Sequence, residues 1–267
     1  MRRFFFGSPA ISSGADGDTD PLASVRRLHC AVRAAFHHGV NRDPLIELRA
    51  VSCRRTGAGV ESCVADVSLA ISPASVTVLA GADGCGKNLI LELMGLIEVP
   101  DSGEIVFDGD GTNELTEDSR AELRSNRCGY VFDSPFLLSS FSVLENVAMP
   151  AFKISQVGPQ AAQARTEDLI AFTGLSEFAN AKNLPPALQH RVALARALVN
   201  DPAVVFVQNL DGFLEPQDVP AFRRLLHGVP ARYGVAVVVS AGTGLPHAAG
   251  ERRIEIAHGR VLDDILA

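Results

Sequence analysis

The residues best suited to chemistry in this sequence form a glycine-rich run that ends in a lysine. Residues 81–88 read GADGCGKN and follow an apolar run that ends at Ala80. Glycines let successive backbone N–H groups face one anion, and a lysine at this spacing can reach the terminal phosphates of a nucleotide. An apolar run over residues 89–96 predicts a helix whose positive end adds to the attraction. The pattern predicts a phosphate-binding loop, or P-loop, made of Gly81, Asp83, Gly84, Cys85, Gly86, Lys87, Asn88 and Leu89.

The residue after the lysine departs from the usual chemistry of such a loop. A P-loop places Ser or Thr there because the hydroxyl ligates Mg²⁺, whereas this sequence has Asn88. The amide oxygen of asparagine is a weak substitute for that hydroxyl. The sequence therefore makes ATP a possible cofactor and Mg²⁺ a doubtful one, with Asn88 as a weak candidate ligand.

A P-loop needs a strand before it and a helix after it, and the surrounding pattern supplies both. Short β-rich runs separated by Gly, Pro and polar residues predict strands over residues 45–52, 64–71, 75–80, 104–108, 203–208, 235–240 and 253–257. Residues 116–198 have a mainly helical pattern. Strands that alternate with helices predict an α/β fold, with a helical insertion between the two halves of its sheet.

Composition limits the class of protein. The chain has 267 residues, of which 47% are hydrophobic, and this is enough to bury a sizeable core. The net charge of -7, without a long basic face, argues against nucleic-acid binding. No apolar run approaches the roughly 20 residues of a transmembrane helix, so a membrane role requires a partner. The five cysteines form no CxxC pair, which favours a reducing compartment and therefore a cytoplasmic protein.

The first 42 residues carry a separate pattern. Residues 1–20, rich in Ser, Gly and Asp from residue 8 onwards, are predicted to form a disordered tail. Apolar residues then recur at three- and four-residue intervals over residues 21–42, which predicts an amphipathic helical extension. This helix either docks on a partner or on anionic lipid or, in the favoured interpretation, packs against its own domain.

Three stretches beyond the P-loop carry a family resemblance. Residues 95–105 read GLIEVPDSGEI, residues 143–150 read VLENVAMP and residues 191–202 read RVALARALVNDP. In this order they resemble the ATP-binding subunits of ABC transporters, particularly the lipoprotein-release and macrolide-export type, from about residue 45 to residue 262. The resemblance implies the P-loop NTPase fold of the ABC ATPases over residues 43–267, with a RecA-like core, a β-rich subdomain and a helical subdomain at about residues 133–190.

The positions that carry ATP hydrolysis in that family are altered here. By resemblance, the Q-loop glutamine falls at Asp133, and the Walker B aspartate and catalytic glutamate fall at Gln208 and Asn209. The switch histidine falls at Ala241, and His247 lies several residues too late to replace it. The LSGGQ signature, which grips the γ-phosphate of the opposite subunit, falls at Leu184, Pro185, Pro186, Ala187 and Leu188.

These substitutions remove chemical groups that hydrolysis needs. An amide cannot take a proton from water at neutral pH, so Asn209 cannot act as a general base, and neutral Gln208 organises Mg²⁺ poorly. Two prolines in the signature segment remove backbone N–H donors. An active enzyme with shifted motifs would need substitute carboxylates, and the nearby candidates are Asp83, Asp133 and Asp211. Of these, Asp133 is a weak candidate for holding Mg²⁺ in a rearranged site.

Binding surfaces implied by the resemblance survive better than the catalytic positions. The aromatic residue that stacks on adenine in the family should lie near Arg54 or Arg55, where a planar guanidinium would have to replace it. The resemblance also implies that a coupling helix of a permease docks around residues 136–150. It further implies that two subunits pair head to tail, with each ATP between the P-loop of one and the signature of the other.

The leading hypothesis is a pseudo-ATPase, an ABC-type nucleotide-binding subunit that binds ATP weakly or not at all. It would regulate or scaffold a transport complex at the cytoplasmic face of the membrane, and its partners would be a membrane permease, a sister ABC ATPase, or both. A second hypothesis is an active but divergent transport ATPase with Asp133 or Asp83 at the metal. A third is a soluble nucleotide-sensing protein.

Overall fold

The computed structural model of the protein describes residues 43–57, 60–154, 158–175, 181 and 184–266. The tail expected over residues 1–20 and the helix expected over residues 21–42 lie outside these ranges. Within them, no helix has both the length and the apolar character needed to cross a bilayer.

Strands and helices alternate along the described chain, as the pattern of apolar runs predicts. The strands are β1 (Ile46–Gly57), β2 (Val60–Ile71), β3 (Val76–Ala80), β4 (Ser102–Phe107), β5 (Asp110–Gly111), β6 (Cys128–Val131), β7 (Val204–Val207), β8 (Ala236–Ala241), β9 (Arg252–Ala257) and β10 (Arg260–Leu266). The helices are α1 (Lys87–Met94), α2 (Glu117–Arg127), α3 (Val143–Ile154), α4 (Pro159–Phe172), α5 (Pro186–Leu198), α6 (Leu210–Phe213) and α7 (Val219–Tyr233).

The strands form two sheets. The smaller sheet is antiparallel, with the order β2-β1-β4-β5. The larger sheet has the order β10-β9-β3-β8-β7-β6, and all its neighbouring strands are parallel except β10, which runs antiparallel to β9. The carboxyl ends of parallel strands meet at one edge of a sheet, where α/β proteins place their ligand sites. Here that edge receives the ends of β3, β6, β7 and β8.

The larger sheet is buried on both faces. Successive residues of β7 alternate between two hydrophobic clusters, because side chains in a strand point to opposite faces. Val205 and Val207 belong to one cluster, together with α5 and α7 residues. Val204 and Phe206 belong to the other, together with α1 and the smaller sheet. Continuous apolar strands of this kind are typical of parallel sheets covered on both sides.

Three strands, β5, β6 and β10, were not among those expected from the sequence. The stretch expected to be mainly helical contains β6, whose four residues are too few to show a strand period. Gly129 in β6 lies against α5 so closely that a Cβ atom there would be 2.4 Å from the carbonyl oxygen of Ala197. Strand β10 was not expected, because Asp263 and Asp264 interrupt its apolar residues and leave no clear period. In the structure, six of its seven residues are exposed. Pairing with a neighbouring strand therefore decides β6 and β10, a distant one for β6 and the hairpin partner β9 for β10.

Candidate phosphate-binding site

The glycine-rich loop joins the end of β3 to the start of α1, as predicted. Gly84 has φ +74° and Gly86 has φ +100°, a region that favours glycine. A Cβ atom on Gly86 would lie 2.7 Å from the carbonyl oxygen of Cys63 in β2. One on Gly81 would lie 2.4 Å from the carbonyl oxygen of Ile256 in β9. The loop is therefore held by close backbone contacts with strands of both sheets.

The Lys87 side chain is buried and lies inside the loop. Its Nζ donates hydrogen bonds to the carbonyl oxygens of Gly81 at 3.0 Å and Ala82 at 3.1 Å, and to Oδ1 of Asp83 at 3.2 Å. The side chain of Asp83 is fully exposed to solvent. A phosphate that binds to this loop would compete with the Asp83 carboxylate for the lysine.

Asn88 belongs to a hydrogen-bonded chain that crosses from α1 to the ends of β8 and β7. The backbone N–H of Asn209 donates to Oγ of Ser240 at 2.8 Å. Oγ of Ser240 in turn donates to Oδ1 of Asn88 at 2.7 Å. The oxygen that the sequence suggested as a metal ligand is thus already an acceptor for a buried hydroxyl.

The side chain of Gln208 is hydrogen-bonded to helix α1. Its Nε2 donates to Oε1 of Glu92 at 3.2 Å, and its backbone N–H bonds to Val131 at the end of β6. Burial, followed by the charge of Glu98, raises the pKa of Glu92. The hydrogen bond from Gln208 acts in the opposite direction on that pKa. Glu92 is thus a partly buried acid whose ionised form has one neutral amide as its donor.

The three carboxylates suggested as substitute metal ligands each bond to a different partner. Asp83 bonds to Lys87, while exposed Asp133 accepts a hydrogen bond from the backbone N–H of Ser134 at 2.7 Å. Both oxygens of Asp211 accept from the backbone N–H of Gly242. Across the described residues, no three His, Cys, Asp or Glu side chains gather into a group that could hold a metal ion.

The backbone around Asp133 is fixed by α5. His190 is buried, and its Nε2 lies 3.0 Å from the carbonyl oxygen of Asp133. Its Nδ1 lies 2.9 Å from the carbonyl oxygen of Pro186, and its ring stacks on Phe213 at 3.7 Å between centroids. The helix that follows the signature position therefore contacts the segment at the Q-loop position directly.

The signature segment begins α5. Pro185 precedes the helix and Pro186 is its first residue, a position that suits proline because that N–H has no helical partner. Leu184 is buried, and its carbonyl oxygen accepts from Nε2 of Gln189 at 2.8 Å. Ala187 and Leu188 are half-buried, with apolar side chains packed on the core. The prolines serve as a helix start here and offer no N–H groups.

The switch and adenine positions have other partners. Ala241 is buried at the end of β8 and accepts from the N–H of Gly81, while His247 lies 3.1 Å from the carbonyl oxygen of Glu251. The guanidinium of Arg55 binds Glu98, Asp101 and the carbonyl oxygen of Val99. The hydrogen bonds that Arg55 donates to the carboxylates of Glu98 and Asp101 raise its pKa. These contacts hold the Arg55 guanidinium against residues 98–101.

Sequence reasoning missed two residues of the site, Ser240 and Glu92. Each is a polar residue inside an otherwise apolar run, Ser240 at the end of β8 and Glu92 within α1. Such isolated polar residues carry a weak signal, because a buried polar group needs a partner. Their partners come from distant parts of the chain and are visible only after folding.

Substitution of Gly86 by alanine should destabilise the loop. The new Cβ would meet the Cys63 carbonyl oxygen at 2.7 Å, and φ of +100° is strained for any L residue. We expect a loss of about 2–3 kcal/mol in the free energy of unfolding, measured with urea. Gly84→Ala is the matched control, because φ is also positive there but nothing lies within 4 Å of the new Cβ. Equal losses in both variants would contradict the close contact with β2.

Known proteins share this fold and much of this sequence. Residues 64–209 match the family model described as "ABC transporter". The lipoprotein-releasing system ATP-binding protein LolD of Bordetella avium is 33% identical over 201 residues, which cover 74% of this chain and 86% of that protein. LolD 2 of Caulobacter vibrioides is 34% identical over 201 residues, with coverages of 74% and 88%. The dimeric ATP-binding cassette MJ0796, bound to ADP and Pi, superimposes with a TM-score of 0.71 at 25% identity, covering 83% of this chain and 98% of that one.

Proposed function

This chain belongs to the ABC transporter family, and we propose that it acts there as a nucleotide-binding subunit that does not hydrolyse ATP. It docks on a membrane permease, on a sister ATPase, or on both, at the cytoplasmic face of the membrane. There it regulates or scaffolds the transport complex. The observation that carries the proposal is the pair of amides, Gln208 and Asn209, that follows β7 where hydrolysis requires carboxylates.

Neither of these two amides can activate water. General-base catalysis needs a side chain that can accept a proton near neutral pH, and Asn209 cannot do so. Gln208 is neutral, so it adds no negative charge to the loop. Its amide nitrogen donates a hydrogen bond to Glu92. The carboxylate of Asp133 bonds to the next backbone N–H and is exposed. These contacts favour a site that can hold phosphate but cannot cleave it.

Pairing of subunits does not repair the defect. The family resemblance implies that each nucleotide lies between the P-loop of one subunit and the signature of the other. In a homodimer of this chain, both sites would lack the base and would face Pro185 and Pro186. In a heterodimer with an intact sister, one site would lack the base and the other would lack the signature donors. Each arrangement favours a structural or regulatory role.

The docking surface proposed for the permease is an exposed apolar face on α3 and the segment before it. It consists of Phe136, Leu138, Phe141, Leu144, Met149 and Phe152. Buried Asn146 holds this segment in place, because its Oδ1 accepts from the N–H of Leu138 and its Nδ2 donates to the carbonyl oxygens of Leu138 and Ser142. Glu145 and Ser142 cap the start of α3 reciprocally.

The occupant proposed for this apolar docking face is a cytoplasmic segment of the permease. Exposed aromatic side chains in one patch are typical of an interaction site. The face lies within residues 136–152, which overlap the family-like stretch over residues 143–150. Its geometry depends on Asn146 and Glu145 from that stretch, so selection for docking would explain why the stretch persists beside altered catalytic positions.

Steady-state ATP hydrolysis with Mg²⁺ distinguishes this proposal from a divergent active ATPase. Under the proposal, the wild-type protein and Asp133→Asn both hydrolyse ATP at the rate of a protein-free control. Under the alternative, the wild type shows a Mg²⁺-dependent rate that Asp133→Asn or Asp83→Asn removes. Asp218→Asn is a control for the loss of one negative charge away from the loop, and it should change nothing in either case.

A further inference from the structure

The orientation of the Asn88 amide follows from the hydrogen bonds around Ser240. Ser240 is fully buried, and its Oγ lies 2.8 Å from the backbone nitrogen of Asn209. A backbone N–H can only donate, so it uses a lone pair of Oγ and leaves the hydroxyl proton in need of an acceptor. The side chain of Asn88 lies 2.7 Å away and supplies one only if its oxygen faces Ser240. The amide nitrogen must then point the other way.

The nitrogen of Asn88 is therefore available on the side away from Ser240. Among the described residues it has no hydrogen-bond partner, and it is not sealed from solvent. Asn88 is the second residue of α1, next to Lys87 and at the helix end where backbone N–H groups attract anions. Two amide hydrogens thus occupy the position where the family has a metal-binding hydroxyl.

This arrangement does not fit Mg²⁺. Magnesium requires oxygen ligands in near-octahedral geometry, but Oδ1 of Asn88 accepts from Ser240 and the carboxylates of Asp133 and Asp211 bond to backbone N–H groups. Gln208 replaces the acidic residue expected beyond β7. A phosphate oxygen, in contrast, is an acceptor that the Asn88 N–H groups, Lys87 and the loop backbone can all satisfy.

We propose that the loop binds the phosphates of ATP or ADP without Mg²⁺, and that the Asn88 amide nitrogen donates directly to a phosphate oxygen. This inference rests on the proposed nucleotide-binding role and specifies the form of its ligand. The site has Lys87 as its cation and Asp83 as an opposing charge, so binding is expected to be weak. Metal-free nucleotide is favoured because a bound Mg²⁺ would face amide hydrogens.

Calorimetric titration of the full chain with ATP, and separately with ADP, tests the proposal. Affinity measured with EDTA should equal or exceed affinity measured with Mg²⁺. The proposal is overturned if Mg²⁺ raises the affinity about tenfold or more, or if neither form binds. Both of those outcomes concern binding and are compatible with a protein that does not hydrolyse ATP. Failure of this inference is therefore distinguishable from failure of the proposed function, which hydrolysis measurements test.

The nearly isosteric variant Asn88→Asp distinguishes a site that binds metal-free nucleotide from a site that binds nucleotide with Mg²⁺. The oxygen that accepts from Ser240 is kept, while the N–H donors become a carboxylate oxygen that repels phosphate and attracts Mg²⁺. ATP affinity in EDTA should fall about tenfold or more, since hydrogen bonds to charged groups are the strong ones, and Mg²⁺ should now increase it. Gln160→Glu, at an exposed position of α4, controls for added charge. Unchanged affinity in a folded Asn88→Asp protein would overturn the role given to Asn88.

Discussion

Phe136→Asp combined with Phe152→Asp should release the protein from the proposed permease partner without unfolding it. These two aromatic side chains are 66% and 70% exposed, the most exposed of the apolar docking face, so the monomer does not need them for its core. Buried aromatic anchors dominate the binding energy of protein interfaces, and a charge placed in such an interface must be desolvated without a partner. Affinity for the permease should fall about 100-fold or more.

The measurement is saturable binding of labelled protein to membrane vesicles from the source cells. Leu262→Asp is the matched control, because Leu262 is also apolar and 69% exposed but lies on β10. It should bind like the wild type, and circular dichroism should show that all three proteins are folded. Equal loss of binding in the control, or none in the double variant, would refute the assignment of the docking face to α3 and the segment before it.

Arg223→Leu should cost about 3–5 kcal/mol of stability, because it leaves a buried carboxylate without its main partner. The side chain of Glu251 is 2% exposed. Arg223 in α7 binds both of its oxygens, with Nε 2.6 Å from Oε1, and Nε2 of His227 lies 2.7 Å from the same oxygen. This pair fastens α7 to the segment before β9. Urea denaturation at neutral pH measures the loss.

The exposed arginine Arg49 provides the control. It pairs with Glu47 and Glu104 on the surface of the smaller sheet, where solvent screens the charges, so Arg49→Leu should leave the urea midpoint unchanged. Equal losses of stability in Arg223→Leu and Arg49→Leu would contradict the claim that burial makes the Arg223–Glu251 pair more important for stability than the exposed pairs of Arg49.

The cost of Arg223→Leu should also depend on pH. Burial raises the pKa of Glu251, but the hydrogen bonds from Arg223 and His227 outweigh it, so the pKa is lowered on balance. A lowered pKa contributes stability above the unfolded value of about 4.3, and this contribution is lost as the pH falls through the folded value. The difference between the wild type and Arg223→Leu should therefore shrink in acid.

The sequence predicted the elements around the P-loop well, because their signals are local. The apolar run before Gly81 and the glycine spacing place the end of β3 and the start of α1 to within about two residues. The ABC transporter fold and family expected from three further stretches are confirmed by the comparisons. Strand β6 was not predictable because it is short and depends on pairing with β7, which is distant in the chain. Strand β10 was not predictable because its residues show no clear period, and it is recognised only from its hairpin pairing with β9.

The contacts of the family-like stretches suggest a physical reason for their survival. Arg196 in the third stretch donates to the carbonyl oxygens of Pro135 and Phe136, and Asn146 in the second holds Leu138. In the first stretch, Asp101 binds the backbone of Arg54 and the side chain of Arg55. All three stretches thus contribute contacts that maintain the shape of the molecule.

The site itself was only partly predictable. The residue types at positions 88, 208 and 209 can be read from the sequence, and the loss of two carboxylates and a hydroxyl there stays a prediction that rests on the family resemblance. The partners of these residues did not follow from the sequence, because Ser240 and Glu92 reach them from other elements. It is the bond from Ser240 that turns Asn88 from a weak metal ligand into a phosphate donor in our proposal.

A single-turnover experiment tests the central claim, that this subunit does not hydrolyse ATP, more directly than any other measurement. Protein in about tenfold excess over radiolabelled ATP, with Mg²⁺ and membrane vesicles from the source cells, is followed for about a day, so that slow chemistry is not hidden by slow product release. We predict phosphate release at the same rate as for Lys87→Ala, which lacks the loop's cation. Faster, stoichiometric phosphate release by the wild type that Lys87→Ala abolishes would contradict the claim.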